Sequence, residues 1–170
     1  MQLTYQDVTL RRFHPRDQAP LVHLANNRKV WDNLRDYIPH PYQDSDAAAF
    51  IARTQGEEVP CTFAIEHAGE LAGVAGLVLQ SDVYQGSAEL GYWLGEPYWG
   101  QGIATEAVKL ITRYGFENLG LRRVYAGVFG HNAASCRVLE KAGFEREGFF
   151  RNCIIKNGVV GDEIRYARLA

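Results

Sequence analysis

The stretch that most restricts the fold of this chain runs from Ala88 to Gly120. It opens as Ala88-Glu-Leu-Gly-Tyr-Trp-Leu94, an apolar and aromatic run that suits a strand. It continues as Gly95-Glu-Pro-Tyr-Trp-Gly-Gln-Gly102, a short loop. It ends in a helical pattern in which Ile103, Ala107, Leu110, Ile111 and Tyr114 share one face, while Glu106, Lys109, Arg113 and Glu117 fall mainly on the other. Gly120 is placed to stop that helix. A strand that passes through a tight loop into an amphipathic helix must bury both apolar faces in one layered core.

The flanking segments extend this pattern. Val8–Leu10 with Phe13 reads as a first strand, and His14-Pro15-Arg16-Asp17 opens a helix. Residues 26–45 are irregular, because Pro39 and Pro41 stop a helix there. Asp44-Ser45-Asp46 then caps a helix carrying Ala48, Phe50 and Ile51. Residues 61–67 and 71–79 form a hairpin around Ala68-Gly69-Glu70. Val124–Val128 is a strand, and Asn132 caps a helix that ends at Gly143. The last 25 residues fold back around Lys156-Asn157-Gly158, where Asn-Gly favours a tight turn. The whole predicts an α/β (α+β) domain spanning residues 1–170, with a mostly antiparallel sheet of about seven strands and about four helices. At 170 residues such a chain buries roughly 70% of its unfolded surface.

Charge narrows the partners. Eighteen Lys and Arg against twenty Asp and Glu leave a formal charge of −2, which argues against a broad grip on nucleic acid or anionic lipid. A single local phosphate site remains compatible. The first residues carry no leader pattern, and the apolar run Leu71–Leu79 is far short of the ~20 residues that span a bilayer. Cys61, Cys136 and Cys153 make no CxxC pair and no zinc spacing, so a cytoplasmic protein with reduced thiols and no metal is expected. His131 precedes Cys136 by five positions, but nothing in the sequence orients the two as a catalytic pair.

The chemistry concentrates in the loop. Gly100 and Gly102 remove Cβ atoms where a ligand can approach the backbone, and the first turn of the helix leaves N–H groups without internal partners. Its dipole favours an anion. The alternative is a tight turn that uses glycine only for its backbone angles. A P-loop needs Gly-Lys-Ser/Thr, whereas this loop ends Gly102-Ile103-Ala104. A dinucleotide fingerprint needs a third glycine and a nearer second strand, and Gly100-Gln101-Gly102-Ile103-Ala104-Thr105 has neither.

Strand, Trp99-Gly-Gln-Gly-Ile-Ala-Thr-Glu-Ala107, helix, strand, then His131-Asn132-Ala-Ala-Ser135-Cys-Arg-Val-Leu-Glu-Lys-Ala-Gly143-Phe144 resembles the GNAT N-acetyltransferase superfamily, and within it the RimJ/RimL-type branch that acetylates ribosomal-protein N-termini. The resemblance runs from Leu10 to Tyr166. It implies acetyl-CoA as donor, with coenzyme A as product. It places the pyrophosphate on Trp99, Gly100, Gln101, Gly102, Ile103 and Ala104, followed by Thr105. It pairs the pantetheine arm with Tyr92, Trp93 and Leu94, and sets Asn132, also a plain helix cap, against that arm. Many superfamily members carry Arg or Gln where this chain has Trp99. Large aromatics are usual in this branch, and the cradle uses backbone groups.

The same resemblance frames the mechanism. Glu89 shares a strand face with Gly91 and Trp93 and is the candidate base, with Glu106 as competitor; the plainer reading of Glu89 is a solvent-facing carboxylate. The tyrosine that much of the superfamily uses as acid falls on Leu139 here, and the branch points to Ser135 instead, otherwise a first-turn helix serine. Gly91 is placed to form a bulge that aims an N–H at the thioester oxygen. Trp31, Asn33, Arg35, Tyr37 and Tyr42 are candidates to meet the acceptor amine, with Asp162 and Glu163 from the last hairpin. A peptide α-amine, with a pKa of about 8, needs less help from a base than a lysine-like amine. The leading expectation is therefore a peptide or protein N-terminus as acceptor. Alternatives are a polyamine or aminoglycoside acceptor, a non-catalytic CoA sensor, or an unrelated phosphate-binding module. Neither nucleic acid nor membrane is an expected partner, and the chain is expected to be a monomer or homodimer.

Overall fold

Short turns with positive φ shape the sheet. In the computed structural model, which describes residues 2–170, Ala68 and Gly69 sit at φ 51° and 85° and fold β3 (Thr62–His67) back onto β4 (Glu70–Leu79). Asn157 and Gly158, at 53° and 74°, do the same between β7 (Glu145–Lys156) and β8 (Val159–Leu169). Before these come β1 (Gln2–Tyr5), β2 (Val8–Arg11), a 3-10 turn at Pro15–Asp17, α1 (Gln18–Ala25), α2 (Arg28–Trp31) and α3 (Asp44–Gln55). Between the hairpins lie β5 (Ser87–Leu94), α4 (Ile103–Leu119), β6 (Arg123–Phe129) and α5 (Ala133–Lys141).

The described residues form one eight-stranded sheet in the order β1-β2-β3-β4-β5-β6-β8-β7, with five α-helices. The sequence predicts one strand and one helix fewer. The added strand, β1, is a short edge piece whose residues are mostly exposed; pairing with β2 makes it a strand, not its own alternation. The added helix, α2, is one turn capped by Asn27, whose side chain accepts from the Lys29 N–H at 2.9 Å. Phe13 belongs to the core beneath α1 and not to the first strand. Asp44 starts α3, and Asp46 reaches back to cap it by accepting from the Gln43 N–H at 2.8 Å.

Helices cover both faces of the sheet. Ile103, Ala107, Leu110, Ile111 and Tyr114 of α4 pack with Leu139 of α5 onto Leu10, Phe63, Ile65, Leu77 and Leu90. On the opposite face, Leu21, Leu24, Ala47 and Ile51 from α1 and α3 pack onto Ala64, Leu71 and Val74. Every neighbouring pair is antiparallel except β5 and β6. These two run parallel and pair only over Ser87–Glu89 with Arg123–Tyr125. Beyond Glu89 they part, while β5 stays paired to β4 as far as Leu94. The bulge expected at Gly91 is absent: Gly91 sits opposite Gly76 in unbroken register, and the two small residues need no extra one to accommodate them.

A buried charge network fastens the helical layer to this frame. Arg11, at the end of β2, donates to both Asp17 oxygens at 2.7 and 2.9 Å and to Glu66 of β3 at 2.5 Å. Asp17 also accepts from the His14 N–H at 2.8 Å, which sets the entry into α1. Burial alone would raise the Asp17 pKa, but the Arg11 bond and the His14 N–H outweigh it and hold the carboxyl below its usual range. A depressed folded-state pKa contributes stability above the unfolded value of about 3.9 and loses it as pH falls through the folded one. Asp17→Asn should therefore cost about 3 kcal/mol in urea unfolding at pH 7. The difference from wild type should shrink below about pH 4.

Candidate active site

The parting of β5 from β6 opens a cavity of about 1140 Å³ through the middle of the sheet. Strand alternation gives it two differently equipped faces. Glu89, Gly91 and Trp93 share the face covered by α1 and α3; Leu90, Tyr92 and Leu94 share the face covered by α4 and α5. A Cβ built on Gly91 would meet nothing within 4 Å, so its missing side chain is open cavity.

At one end lies the loop into α4. Gly100 and Gly102 have φ of 74° and 81°, and a Cβ on either would also meet nothing within 4 Å. Both reasons for glycine hold together here: a left-handed backbone and an unfilled space above it. No side chain caps the first turn of α4, so its N–H groups face the space the glycines leave. The Trp99 indole N–H donates to the Leu94 carbonyl at 2.8 Å, and the Gln101 amide donates to the Pro97 carbonyl at 2.8 Å. Trp99, Gly100, Gly102, Ile103, Ala104 and Thr105 line the cavity; Gln101, turned back onto Pro97, does not.

Across the gap stands the first turn of α5. Asn132 and Ser135 line the cavity, and the Asn132 carboxamide accepts from the Ser135 N–H at 3.1 Å. The Tyr92 hydroxyl lies 2.7 Å from Ser135 Oγ. Burial pushes the Tyr92 pKa up to about 12, against the opposing Ser135 bond. Leu139, where the family resemblance would place a tyrosine, is fully buried in the core. Arg137 and Lys141 border the same end without an ion-pair partner among the described residues.

The other chamber lies under the α2–α3 segment. Asn33, Arg35, Tyr37 and Tyr42 line it with Leu34, Ile38, Phe50 and Arg53. Arg35 forms an ion pair with Glu89 across the cavity. Asn33 Oδ1 lies 3.0 Å from His131 Nε2, tying the segment to the β6–α5 loop. The backbone of Tyr42 is held by Asn26, and burial with the nearby Asp46 charge pushes its phenol up to about 12. Trp31 lies outside the lining. Lys156 Nζ sits 3.3 Å from its ring centroid and donates to Asp36 at 2.6 Å, and His40 stacks at 5.3 Å, so Trp31 anchors the tip of the last hairpin. Asp162 and Glu163 are also outside. Asp162 accepts from the Asn152 N–H at 2.8 Å, and Glu163 pairs with Arg165 at 2.7 Å. Glu106 pairs with Lys109 on the outer face of α4.

Comparison with known proteins gives the family of the chain that carries this cleft. Residues 7–145 match the acetyltransferase (GNAT) domain model. The chain belongs to the GNAT acetyltransferase family, and acetyl-CoA is its acetyl donor. It is 32% identical to spermidine N(1)-acetyltransferase of Escherichia coli over 93% of this chain and 83% of that one. It is 28% identical to the ribosomal protein uS5-alanine N-acetyltransferase of the same organism, over 96% and 88%. Among solved structures, the microcin C7 self-immunity acetyltransferase MccE, determined with acetyl-CoA and AMP, superposes with a TM-score of 0.81 at 25% identity over 98% of this chain and 94% of that one.

Sequence reasoning missed the Tyr92 hydroxyl, Phe50, Arg53, Arg137 and Lys141. Tyr92 was legible, since alternation from Gly91 turns it to the α5 face. The others come from separate elements that only folding brings to one cavity. The open space at Gly91 makes a test. Gly91→Val suits a strand, and its Cβ meets no protein atom within 4 Å, so the melting temperature should stay within about 3 °C. Acetyl transfer should fall at least about tenfold, the equivalent of about 1.4 kcal/mol, as the valine enters the cleft.

Proposed function

We propose that this GNAT acetyltransferase moves an acetyl group onto the α-amine of a peptide or protein N-terminus, by direct attack within a ternary complex in the cytoplasm. The observation that carries the acceptor assignment is the state of the cavity's carboxylates. Three line it, and each has a partner: Asp46 caps α3, Glu57 accepts from Cys61 N, Thr62 N and Thr62 Oγ at 2.8, 2.9 and 2.6 Å, and Glu89 holds Arg35. Four cations, Arg35, Arg53, Arg137 and Lys141, line the same space. A polyamine carries several ammonium groups that each need an unspent anion once desolvated. A peptide N-terminus presents one amine, partly neutral near pH 7.5, followed by uncharged backbone. The free thiols of Cys61, Cys136 and Cys153 suit a reducing compartment.

The residues present fit the donor. The uncapped first turn of α4 and the space over Gly100 and Gly102 would hold its diphosphate. The edge of β5 from Tyr92 to Leu94, freed where β6 diverges, would hold the amides of its arm. Arg137 and Lys141 would add positive charge at the same end. When bound, the donor supplies a thioester carbonyl that an amine can attack. Glu89 takes the proton shed by the amine, from the chamber face of β5. Ser135 supplies a hydrogen from the opposite face. Arg35 must yield part of its hold on Glu89 as the amine arrives.

The acceptor reading is checked by following acetyl-CoA turnover with an Ala- or Ser-starting peptide against spermidine. The expected result is a kcat/KM at least about tenfold higher for the peptide, or about 1.4 kcal/mol of discrimination. A preference for spermidine would overturn it. Glu89→Gln should lower peptide turnover by about a hundredfold at pH 6.5. That deficit should narrow toward pH 9, where the amine, with a pKa of about 8, is mostly neutral without a base. An unchanged profile from pH 6 to 9 would remove Glu89 from the mechanism.

A further inference from the structure

Two hydroxyls meet at the α5 wall of the cavity, and they come from different elements. Tyr92 projects from β5, and its oxygen lies 2.7 Å from Ser135 Oγ and 3.3 Å from the Ser135 carbonyl. Ser135 is itself fixed, because the Asn132 side chain holds its N–H and so the first turn of α5. Both partners sit on hydrogen-bonded backbone, Tyr92 in the β4–β5 ladder and Ser135 in the first turn of α5. The phenol is pushed up by burial and keeps its proton across the working pH range. A serine hydroxyl alone turns among staggered positions and donates in no fixed direction. When Tyr92 donates, its hydrogen shared between Ser135 Oγ and the Ser135 carbonyl, the serine hydrogen is left for the cavity. Leu139 supplies no hydroxyl in its place.

We propose that Tyr92 is a positioning residue: it locks Ser135 Oγ, and the two hydroxyls act as one hydrogen-bond donor unit toward the sulfur that leaves during acetyl transfer. The proposal rests on the acetyl-CoA reading of the cleft and deepens it. As the amine nitrogen bonds to the carbonyl carbon and the carbon–sulfur bond breaks, the electron pair passes to sulfur. Ser135 gives its hydrogen to that sulfur and takes one from Tyr92. The proton shed by nitrogen goes to Glu89 and then to water, and water returns a proton to Tyr92, so the site ends as it began. Hydrogen bonds in such a chain strengthen one another, and the developing charge spreads over two oxygens. The layout gives each face of β5 one task, with the amine's proton leaving on the Glu89 side and the sulfur's proton arriving on the Tyr92 side.

The test is Tyr92→Phe, which removes one oxygen and keeps the ring. The first readout needs no turnover. Coenzyme A and its desulfo analogue are titrated by calorimetry from pH 7 to 9.5. In the wild type, the preference for coenzyme A should grow toward the top of that range as the ionised fraction of its thiol rises. In Tyr92→Phe that pH-dependent gain should shrink by about fivefold, with desulfo-CoA affinity within about twofold of wild type. The second readout is turnover: kcat should fall about tenfold with KM for acetyl-CoA nearly unchanged. Adding Tyr92→Phe to Ser135→Ala should cost little more than Ser135→Ala alone. An unchanged preference for coenzyme A, an equal loss of affinity for both ligands, or fully additive losses would each overturn the proposal. If the wild type shows the thiol preference but acetylates no amine, the acceptor mechanism fails while the hydroxyl pair stands.

Discussion

Most of what is distinctive here follows from one interrupted strand pairing. β5 and β6 share a ladder over only three residues each and then diverge, so a sheet that is continuous elsewhere is open at its centre. Backbone amides and carbonyls of β5 are left without a β6 partner in the interior of the fold, where such groups require one. An extended ligand with amides of its own would satisfy that requirement in the manner of an added strand. The same divergence lets the two faces of β5 reach one cavity. Alternation then sends Glu89 to one side and Tyr92 to the other without any special turn.

The chamber under the α2–α3 segment is shaped by polar ties more than by regular structure. Asp32 accepts from Asn157 at 2.9 Å, Asn33 meets His131, Arg35 meets Glu89 and Asp36 meets Lys156. Exposed pairs of this kind add little stability each. Their effect is geometric, because they hold an irregular segment to three other parts of the chain. Lys156, nearly buried beneath Trp31, is the firmest of them. Trp31 therefore shapes the chamber from behind, which is why this acceptor candidate stands outside the lining.

The two glycines of the α4 loop were readable in advance, and so was the amphipathic stripe of α4, because both depend on neighbours close in sequence. The strand face of Glu89 followed from alternation. The Gly91 bulge did not appear, since a glycine in a strand signals either a bulge or an open approach, and the residue opposite decides between them. Here that residue is Gly76. β1 was missed because its four residues become a strand only against β2. Asp162 and Glu163 were credible partners for a cationic amine until the hairpin brought Asn152 to Asp162, and Arg165, two residues along the same strand, took Glu163.

The sequence by itself determined every element but β1 and α2, the helix stops, the anion-favouring loop and the family. These rest on backbone preference and apolar spacing, which act over a few residues and leave a local trace. Only the tertiary structure decided that Glu89 is met by Arg35, that Ser135 is met by Tyr92, and that every carboxylate in the cavity already has a partner. Those pairings join residues 43 to 54 positions apart or depend on several elements at once. No short-range pattern encodes them, because they arise from how the layers close around the gap in the sheet.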